Sequence, residues 1–257
     1  MTGTAMSRWL GEEFRRKRVK ARMKPEAAAQ ELEWSLDKLH ALEHGELVTQ
    51  DVDIIEYLLL FRTPRAELRR FVLLARECHD DDLWLQHFDA DSVDRFRTTL
   101  REEARATGIT GYGPMLVPGP LRTSAYSRAL CGLDQPRHDP PTGAVFYLDE
   151  NVPRRMVGGP EVMRDQVAHL LACPVTIRLV PAACTVVCEE EFTFLDNADR
   201  RPVVHVPLLV ADLFLERPDH VDAYRRLIAD LDKAAWDVDT SRTHLETVAL
   251  RNPVSIR

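Results

Sequence analysis

Residues 23–45 read MKPEAAAQELEWSLDKLHALEHG and decide the fold of the first part of the chain. Pro25 suits a first helical position, and the residues that follow it are good helix formers. Ser35 is a natural N-cap for a second helix, in which Asp37 favours the positive end of the helix dipole. Gly45 is a typical helix stop. The stretch therefore predicts a helix-turn-helix whose second helix is the one that reads DNA.

The residues in and before this stretch resemble a known family. The pattern runs Leu10-Gly11-x2-Phe14-Arg15-Arg16, then Ala28-Ala29-x2-Leu32-x-Trp34-Ser35-x2-Lys38-Leu39-x2-Leu42-Glu43-x-Gly45. It is similar to helix-turn-helix modules of the lambda-repressor/Cro (Xre) type. The resemblance implies a repressor-like helical bundle that binds double-stranded DNA. The alternative interpretation is an ordinary helical hairpin.

Composition indicates a soluble chain of one large or two ordinary domains. Of the 257 residues, 45% are hydrophobic and 29% are charged. No apolar run approaches the roughly eighteen residues of a membrane span, and the first residues lack the apolar stretch of a signal peptide. We therefore expect a cytoplasmic protein. Five cysteines without CxxC spacing are expected to be reduced, mostly buried thiols.

The net charge of −7 argues against nucleic acid as a partner, but its distribution argues for it. Between residues 8 and 24 there are eight cations and two acids. A basic helix beside a helix-turn-helix is where phosphate contacts are expected, although most charge runs are solvated helix faces. The cations are Arg8, Arg15, Arg16, Lys17, Arg18, Lys20, Arg22 and Lys24.

The second helix of the motif has few side chains suited to reading bases. Arg, Lys, Asn and Gln read base edges best, and here Lys38 is the only fixed cation at an exposed position. Leu36, Asp37 and Ala41 depart from the small polar and arginine residues usual in the family. We expect a homodimer on DNA with weak sequence discrimination by the protein alone. The residues predicted to contact DNA are Arg15, Arg16, Arg18, Lys24, Ser35, Leu36, Asp37, Lys38, His40 and Ala41.

Hydrophobic spacing predicts five helices within a mainly α domain over residues 7–77. The first is expected over about 8–22, and the fourth over about 51–61. The predicted inward positions of these two helices are Leu10, Phe14 and Ala21, and Val52, Ile55 and Leu59.

Residues 78–91 are interpreted as a linker or a short connecting helix. Cys78, His79 and His87 invite a metal interpretation. Since no fourth ligand stands at a usual spacing, we predict no metal site.

An α+β domain is predicted over residues 92–252. It opens with an amphipathic helix over 92–107, whose inward side chains are expected to be Val93, Phe96, Leu100 and Ala104. The predicted strands are 144–148, 175–180, 192–195, 203–206 and 212–215, with a helix from Pro160 to Ala172 and two closing helices from Pro218 and from about Thr240.

This second domain also resembles a known family, over about residues 90–250. The matching blocks are Leu116-Val117-Pro118-Gly119-x-Leu121-x-Thr123-x2-Tyr126-x2-Ala129-Leu130, then Leu148-Asp149-Glu150 with Val157-Gly158-Gly159-x2-Val162-Met163-x2-Gln166-x2-His169-Leu170, then Asp212-Leu213-x-Leu215-Glu216-x-Pro218. They are similar to a domain of unknown function fused behind Xre-type modules in actinomycete-type regulators. The resemblance implies a small cognate partner protein, paired with the regulator as a toxin is with its antitoxin.

Two features depart from that family. Residues 131–143 are too short to hold a further helix that usually carries an Arg-Gln pair, and Pro207 stands where a glutamate commonly ends the penultimate strand. A ligand site that depends on either feature is not expected to be shared.

No catalytic motif is present, and we predict neither catalytic residues nor a cofactor. Asp149-Glu150 follows a strand and is expected to cap it, while His169 and His205 are interpreted as core residues. Three functions stay open: a DNA-binding regulator whose second domain senses a ligand or a partner, a protein-interaction module with a degenerate helix-turn-helix, and an enzyme on the α+β domain.

Overall fold

The computed structural model describes residues 3–46, 50–78, 83–87, 96–134, 140–184, 186 and 188–251. The chain divides into two compact units, one of residues 1–84 with 199–201 and one of residues 85–198 with 202–257. Among the described residues, no helix combines the length and the apolar character needed to cross a membrane.

Within its described residues, the first unit is a bundle of five helices, which confirms the predicted mainly α fold. The helices are α1 (Ala5–Lys20), α2 (Pro25–Glu31), α3 (Leu36–His44), α4 (Asp51–Leu60) and α5 (Arg65–Glu77). Its core holds side chains from all five helices, among them Phe14, Ala28, Leu39, Tyr57 and Phe71.

Local capping sets the boundaries of the α2–α3 motif. The Ser35 side chain accepts a hydrogen bond from the Lys38 N–H at 3.1 Å, and Gly45 ends α3 in the left-handed conformation, with φ of 69°. Glu33 turns the chain between the helices with φ of +55°, which is uncommon for a residue with a side chain. The predicted helix-turn-helix is thereby confirmed at both ends of its second helix.

Glycines let α1 and α3 cross closely. A Cβ atom on Gly11 would lie 2.6 Å from the Gly45 nitrogen, and one on Gly45 would lie 2.2 Å from the Ser7 carbonyl oxygen. The Ser7 hydroxyl donates to the Gly45 carbonyl at 3.0 Å. These two glycines of the family pattern therefore serve the packing of the two helices.

The inward faces of two helices differ from the prediction. On α4 the buried side chains are Ile54, Tyr57 and Leu58, so the prediction of Val52 and Leu59 as core residues is wrong. Val52 and Leu59 are 51% and 58% exposed. Both sets have helical spacing, and only packing against the other helices selects between them. Ala21, also expected inside, is exposed beyond the end of α1.

The second unit combines a mixed sheet with helices, which confirms the predicted α+β arrangement. Its described helices are α6 (Arg97–Arg105), α7 (Ser124–Cys131), α8 (Pro160–Ala172), α9 (Pro218–Ala234) and α10 (Val238–Arg251). The described strands are β1 (Leu83–His87), whose first two residues are counted with the first unit, and β2 (Gly108–Gly113), β3 (Val145–Asp149), β4 (Thr176–Val180), β5 (Phe192–Asp196), β6 (Val203–Pro207) and β7 (Ala211–Leu215).

The sheet has the strand order β1-β7-β6-β5-β2-β3-β4. β2, β3 and β4 run parallel, whereas β5, β6 and β7 continue from β2 as antiparallel neighbours. Val204 and Val206 of β6 pack with Val221 and Leu231 of α9 on one face. Because side chains alternate along a strand, Val203 and His205 point to the other face.

Two strands were missed by the sequence pattern. β1 lies at the edge of the sheet, so the linker or helix interpretation of residues 78–91 is wrong for Leu83–His87. β2 lies inside the sheet although glycines interrupt its apolar pattern. A Cβ atom on Gly111 would lie 2.5 Å from the Phe146 ring, so this glycine makes room for the neighbouring strand.

Several residues of the second family resemblance hold the domain together. The buried Gln166 accepts from the Thr123 N–H at 2.7 Å and donates to the Leu121 carbonyl at 2.8 Å. The Val117 N–H donates to the Tyr126 hydroxyl at 3.2 Å. These contacts tie α7 and α8 to the segment after β2. The shared residues at these positions therefore have structural roles.

Helix α6 buries a polar face. Its buried side chains are Thr98, Thr99, Glu102 and Glu103, whereas Leu100 is only half-buried and Ala104 is exposed. The predicted inward face of the 92–107 helix is therefore wrong at Leu100 and Ala104, and Val93 lies outside the described residues. From this face, the Thr99 hydroxyl oxygen lies 3.3 Å from Nε2 of His205 on β6.

Candidate nucleic-acid interface

The outer face of α3 carries the predicted DNA-reading positions. Ser35, Leu36 and Asp37 are exposed, while His40 and Ala41 are half-buried at the surface of the helix. Leu39 and Leu42 anchor the opposite face in the core. This geometry presents the start of α3 outward, as docking into a major groove requires.

Lys38 is already paired within the protein. Its Nζ atom lies 2.7 Å from Asp53 Oδ1 and 4.3 Å from the centre of the Trp34 ring. Reading a base with Lys38 would require giving up both contacts. The described part of α3 therefore offers no cation that is ready to contact a base edge.

Arg15 and Arg16 lie on the exposed side of α1. Each forms an ion pair one turn away, Arg15 with Glu12 at 3.5 Å and Arg16 with Glu13 at 2.9 Å. The side chains of both arginines are about half exposed. Such surface pairs contribute little free energy, so either arginine is able to turn to a phosphate.

Arg18 was predicted to contact phosphate, and the structure contradicts this. Its guanidinium is buried and forms two hydrogen bonds with Glu43, both 2.6 Å long. The Tyr57 hydroxyl lies 2.7 Å from the same carboxylate. These hydrogen bonds raise the pKa of Arg18, while burial raises the pKa of Tyr57. Arg18 therefore joins α1, α3 and α4 and is inaccessible to DNA.

An exposed basic group lies where α1 passes into α2. Lys20, Arg22 and Lys24 are exposed and make no ion pair within the described part of the chain. Lys24 was among the predicted contacts, whereas Lys20 and Arg22 were counted only as members of the basic run. Their spacing from the acids of α1 could have singled them out, because Glu12 and Glu13 lie more than one helical turn before Lys20.

The second unit contains a buried polar cluster that the sequence analysis missed. His205 Nε2 lies 3.0 Å from Asp212 Oδ1 and 3.3 Å from the Thr99 hydroxyl oxygen. Burial by itself lowers the pKa of His205, but Asp212 outweighs this and holds the pKa above its ordinary value. His205 is thus not an apolar core residue. Asp212, a charged residue in an otherwise apolar strand, was the available signal.

The cluster lacks the geometry of a catalytic triad. In such a triad the base uses one ring nitrogen toward the nucleophile and the other toward the carboxylate. Here the Thr99 hydroxyl and Asp212 both lie next to the same nitrogen of His205. Elsewhere, Asp149 accepts from the Asn151 N–H at 2.8 Å, in line with the predicted capping of the strand end.

Thiols and metal ligands add no further site among the described residues. All five cysteines are thiols outside any disulfide and are half-buried. Burial raises the pKa of Cys78 to about 12 and that of Cys188 to about 11. No group of three His, Cys, Asp or Glu side chains in the described part is arranged to hold a metal ion, and His79 lies outside it.

Comparison with protein families agrees with the two-part organisation. A family described as a helix-turn-helix domain matches residues 9–71. A family described as a domain of unknown function (DUF5753) matches residues 96–144 and 133–247. A helix-turn-helix ahead of a second domain supports a DNA-binding regulator.

Comparison with individual proteins adds little. No curated protein matches the chain. Among solved structures, one of TrmBL2, described as an archaeal chromatin protein with a novel mode of DNA binding, is 10% identical with a TM-score of 0.32. The match covers 68% of this chain and 62% of that one, so this chain spans less than two thirds of that protein.

Proposed function

The chain belongs to the DUF5753 family, and because a helix-turn-helix domain precedes that domain, we propose that it is a DNA-binding transcription regulator. Its second unit senses a ligand or a small partner protein and biases DNA binding through it. We assign the helix-turn-helix to the Xre type on the pattern that runs from Leu10 to Gly45.

The observation that carries this proposal is the surface formed by α3 and the end of α1. The start of α3 is exposed and capped, and Lys20, Arg22 and Lys24 lie exposed close to it along the chain. Phosphate contacts from such cations position a reading helix in the groove. Arg15 and Arg16 are proposed to add to these contacts, and Arg18 is not.

The protein alone is proposed to discriminate weakly between DNA sequences. Asp37 carries the wrong charge for most base edges, and Lys38 is held by Asp53. A competition assay between the best genomic site and random DNA at physiological salt measures the specificity ratio. We expect a ratio at or below the low end of the usual range, about a thousandfold. A ratio well above about ten thousand would restore a plain repressor with full sequence reading.

We propose that the regulator acts as a homodimer. On α4, Val52, Ile55 and Leu59 follow one another at helical spacing, and the two outer residues are 51% and 58% exposed. An apolar stripe of this kind suits a second copy of the chain, and paired modules bind two half-sites. Light scattering at tens of micromolar is expected to detect a dimer that Leu59→Glu shifts to monomer. A monomer with the wild-type sequence would rule the dimer out.

A second candidate function is an antitoxin-like interaction module with a degenerate helix-turn-helix. The pairing of Lys38 with Asp53 favours it, because that pairing removes the one fixed cation from the reading face. DNA binding that stays undetectable at about 50 mM salt, where phosphate contacts are strong, would favour this module over the regulator. Neither candidate assigns catalysis to the second unit.

A further inference from the structure

A small cavity of about 60 Å³ lies between α6 and strands β5, β6 and β7 of the second unit. Residues of the segment 119–122 complete its wall. Most of the lining is polar, which is unusual for the interior of a domain without a ligand. The polar side chains are Thr99, Glu103, Arg122, Glu191, Thr193, His205 and Asp212.

Four of these charged groups neutralise one another in pairs. Arg122 donates from Nη2 to both carboxylate oxygens of Glu191, at 3.0 and 2.8 Å, and the Gly119 N–H donates to the same carboxylate at 3.3 Å. His205 pairs with Asp212 at 3.0 Å. Each of these pairs is neutralised internally, and one ionisable group of the lining is left without a hydrogen-bonded partner of its own.

That group is Glu103. Its residue is only 7% exposed, and its carboxyl group makes no hydrogen bond or ion pair with any residue that the structure describes. Buried carboxyl groups are normally hydrogen-bonded, because an unmade hydrogen bond costs about 1–3 kcal/mol. A carboxyl group that faces a cavity without a donor suggests that the donor is a molecule from outside the chain.

We propose that this cavity binds the ammonium or guanidinium head group of an organic cation, with Glu103 as its hydrogen-bond acceptor and counter-charge. A cation supplies N–H donors and a positive charge in direct contact with Glu103, whereas His205 is already paired with Asp212. An anion would meet the three carboxyl groups of Glu103, Glu191 and Asp212. The volume suits a head group rather than a whole drug-sized ligand. The proposal rests on the sensing role proposed above and names the chemistry of what is sensed.

Two sources carry this head group: a free small amine, or a lysine or arginine side chain of a partner protein. Isothermal calorimetry on the full-length protein without DNA separates them. The probes are n-propylammonium chloride and the peptide acetyl-Gly-Lys-Gly-amide, with 1-propanol and sodium propionate as neutral and anionic counterparts. Saturable binding of either cationic probe, without binding of the counterparts, supports the proposal and indicates the source. No binding of either cation at tens of millimolar, or equal binding of propanol, would overturn it.

Substitutions locate the binding to the cavity. Glu103→Gln keeps the shape of the side chain and removes its charge, so we expect the affinity for the cation to fall at least about tenfold. Glu102→Gln is the matched control, because Glu102 is buried on the same helix but does not line the cavity. Unchanged affinity in a folded Glu103→Gln variant would overturn the proposal.

The wild-type protein provides a test that does not depend on a variant folding. Glu103 interacts electrostatically with His205 of β6 and Asp212 of β7, and Arg122 and Glu191 also line the cavity. Burial raises the pKa of Glu103 to about 7, so its ionised fraction increases about tenfold between pH 6 and pH 8. The affinity for propylammonium is expected to rise by about that factor. An affinity that does not rise would count against Glu103 as the acceptor.

DNA binding is measured separately by fluorescence anisotropy. If the protein binds DNA but does not bind the cation, the cavity proposal is overturned and the proposed function as a DNA-binding regulator stands. If the protein binds the cation saturably but binds no DNA, the cavity proposal is supported and the proposed function as a DNA-binding regulator is overturned.

Discussion

At the scale of single residues, Arg18 illustrates how packing changes the role of a charge. Its guanidinium and the Glu43 carboxylate are both buried, so removing Arg18 leaves the buried carboxylate without its counter-charge. We expect Arg18→Ala to lower the free energy of unfolding of the first unit by about 3–5 kcal/mol. Arg16→Ala, on the exposed face of the same helix, should lower it by less than about 0.5 kcal/mol. Urea denaturation followed by tryptophan fluorescence measures both, and equal effects would contradict the burial of Arg18.

Two further residues make the second unit sensitive to pH. Burial raises the pKa of Glu103 to about 7 from an ordinary 4.5, and Asp212 raises the pKa of His205. Both groups hold protons in the folded state that the unfolded chain releases, so the free energy of unfolding falls as pH rises through these values.

For Glu103 alone the fall between pH 4.5 and pH 7 is on the order of 3 kcal/mol. The free energy of unfolding, measured by thermal or urea unfolding, is expected to depend less on pH across this range in Glu103→Gln than in the wild type. The same measurement on Glu161→Gln, an exposed glutamate of α8, should follow the wild type. If the free energy of unfolding of the wild type, relative to that of Glu103→Gln, rises from pH 5 to pH 7.5, the predicted direction of the effect is wrong.

At the scale of elements, β2 depends on one glycine for its place inside the sheet. A Cβ atom on Gly111 would collide with the Phe146 ring, whereas one on Gly108 would come no closer than 3.5 Å to another residue. Gly111→Ala should therefore destabilise the second unit by about 1–3 kcal/mol through overpacking. Gly108→Ala in the same strand is the control and should be nearly neutral. Similar melting curves for the two variants would show that the Phe146 ring moves aside.

At the scale of the whole molecule, opposite charges are separated along the chain. The net charge is −7, yet Lys20, Arg22 and Lys24 stand exposed on the first unit. Lys24→Ala should weaken binding to all DNA sequences alike and reduce the slope of log affinity against log salt by about one. Lys233→Ala, an exposed lysine of α9 paired with Asp230, should leave the slope unchanged. Anisotropy titrations between about 50 and about 200 mM salt measure this slope. A changed sequence preference would mean that Lys24 reads bases.

The sequence by itself determined the features that depend on residues close along the chain. Ser35 and Gly45 set the ends of α3 because a cap bonds to groups within about one turn. The sequence also predicted the order of a helical bundle followed by an α+β domain. Each helix and most strands have a hydrophobic spacing that is visible within the segment itself.

Only the tertiary structure decided which of two equivalent faces is buried and which distant residues meet. It placed Arg18 inside against Glu43, turned Val52 and Leu59 outward, and set β2 inside the sheet. It also brought Glu103 of α6 beside His205 and Asp212, which lie about a hundred residues further along the chain. The physical reason is that burial and charge pairing depend on packing between segments far apart in sequence, and the local pattern of no single segment encodes that packing.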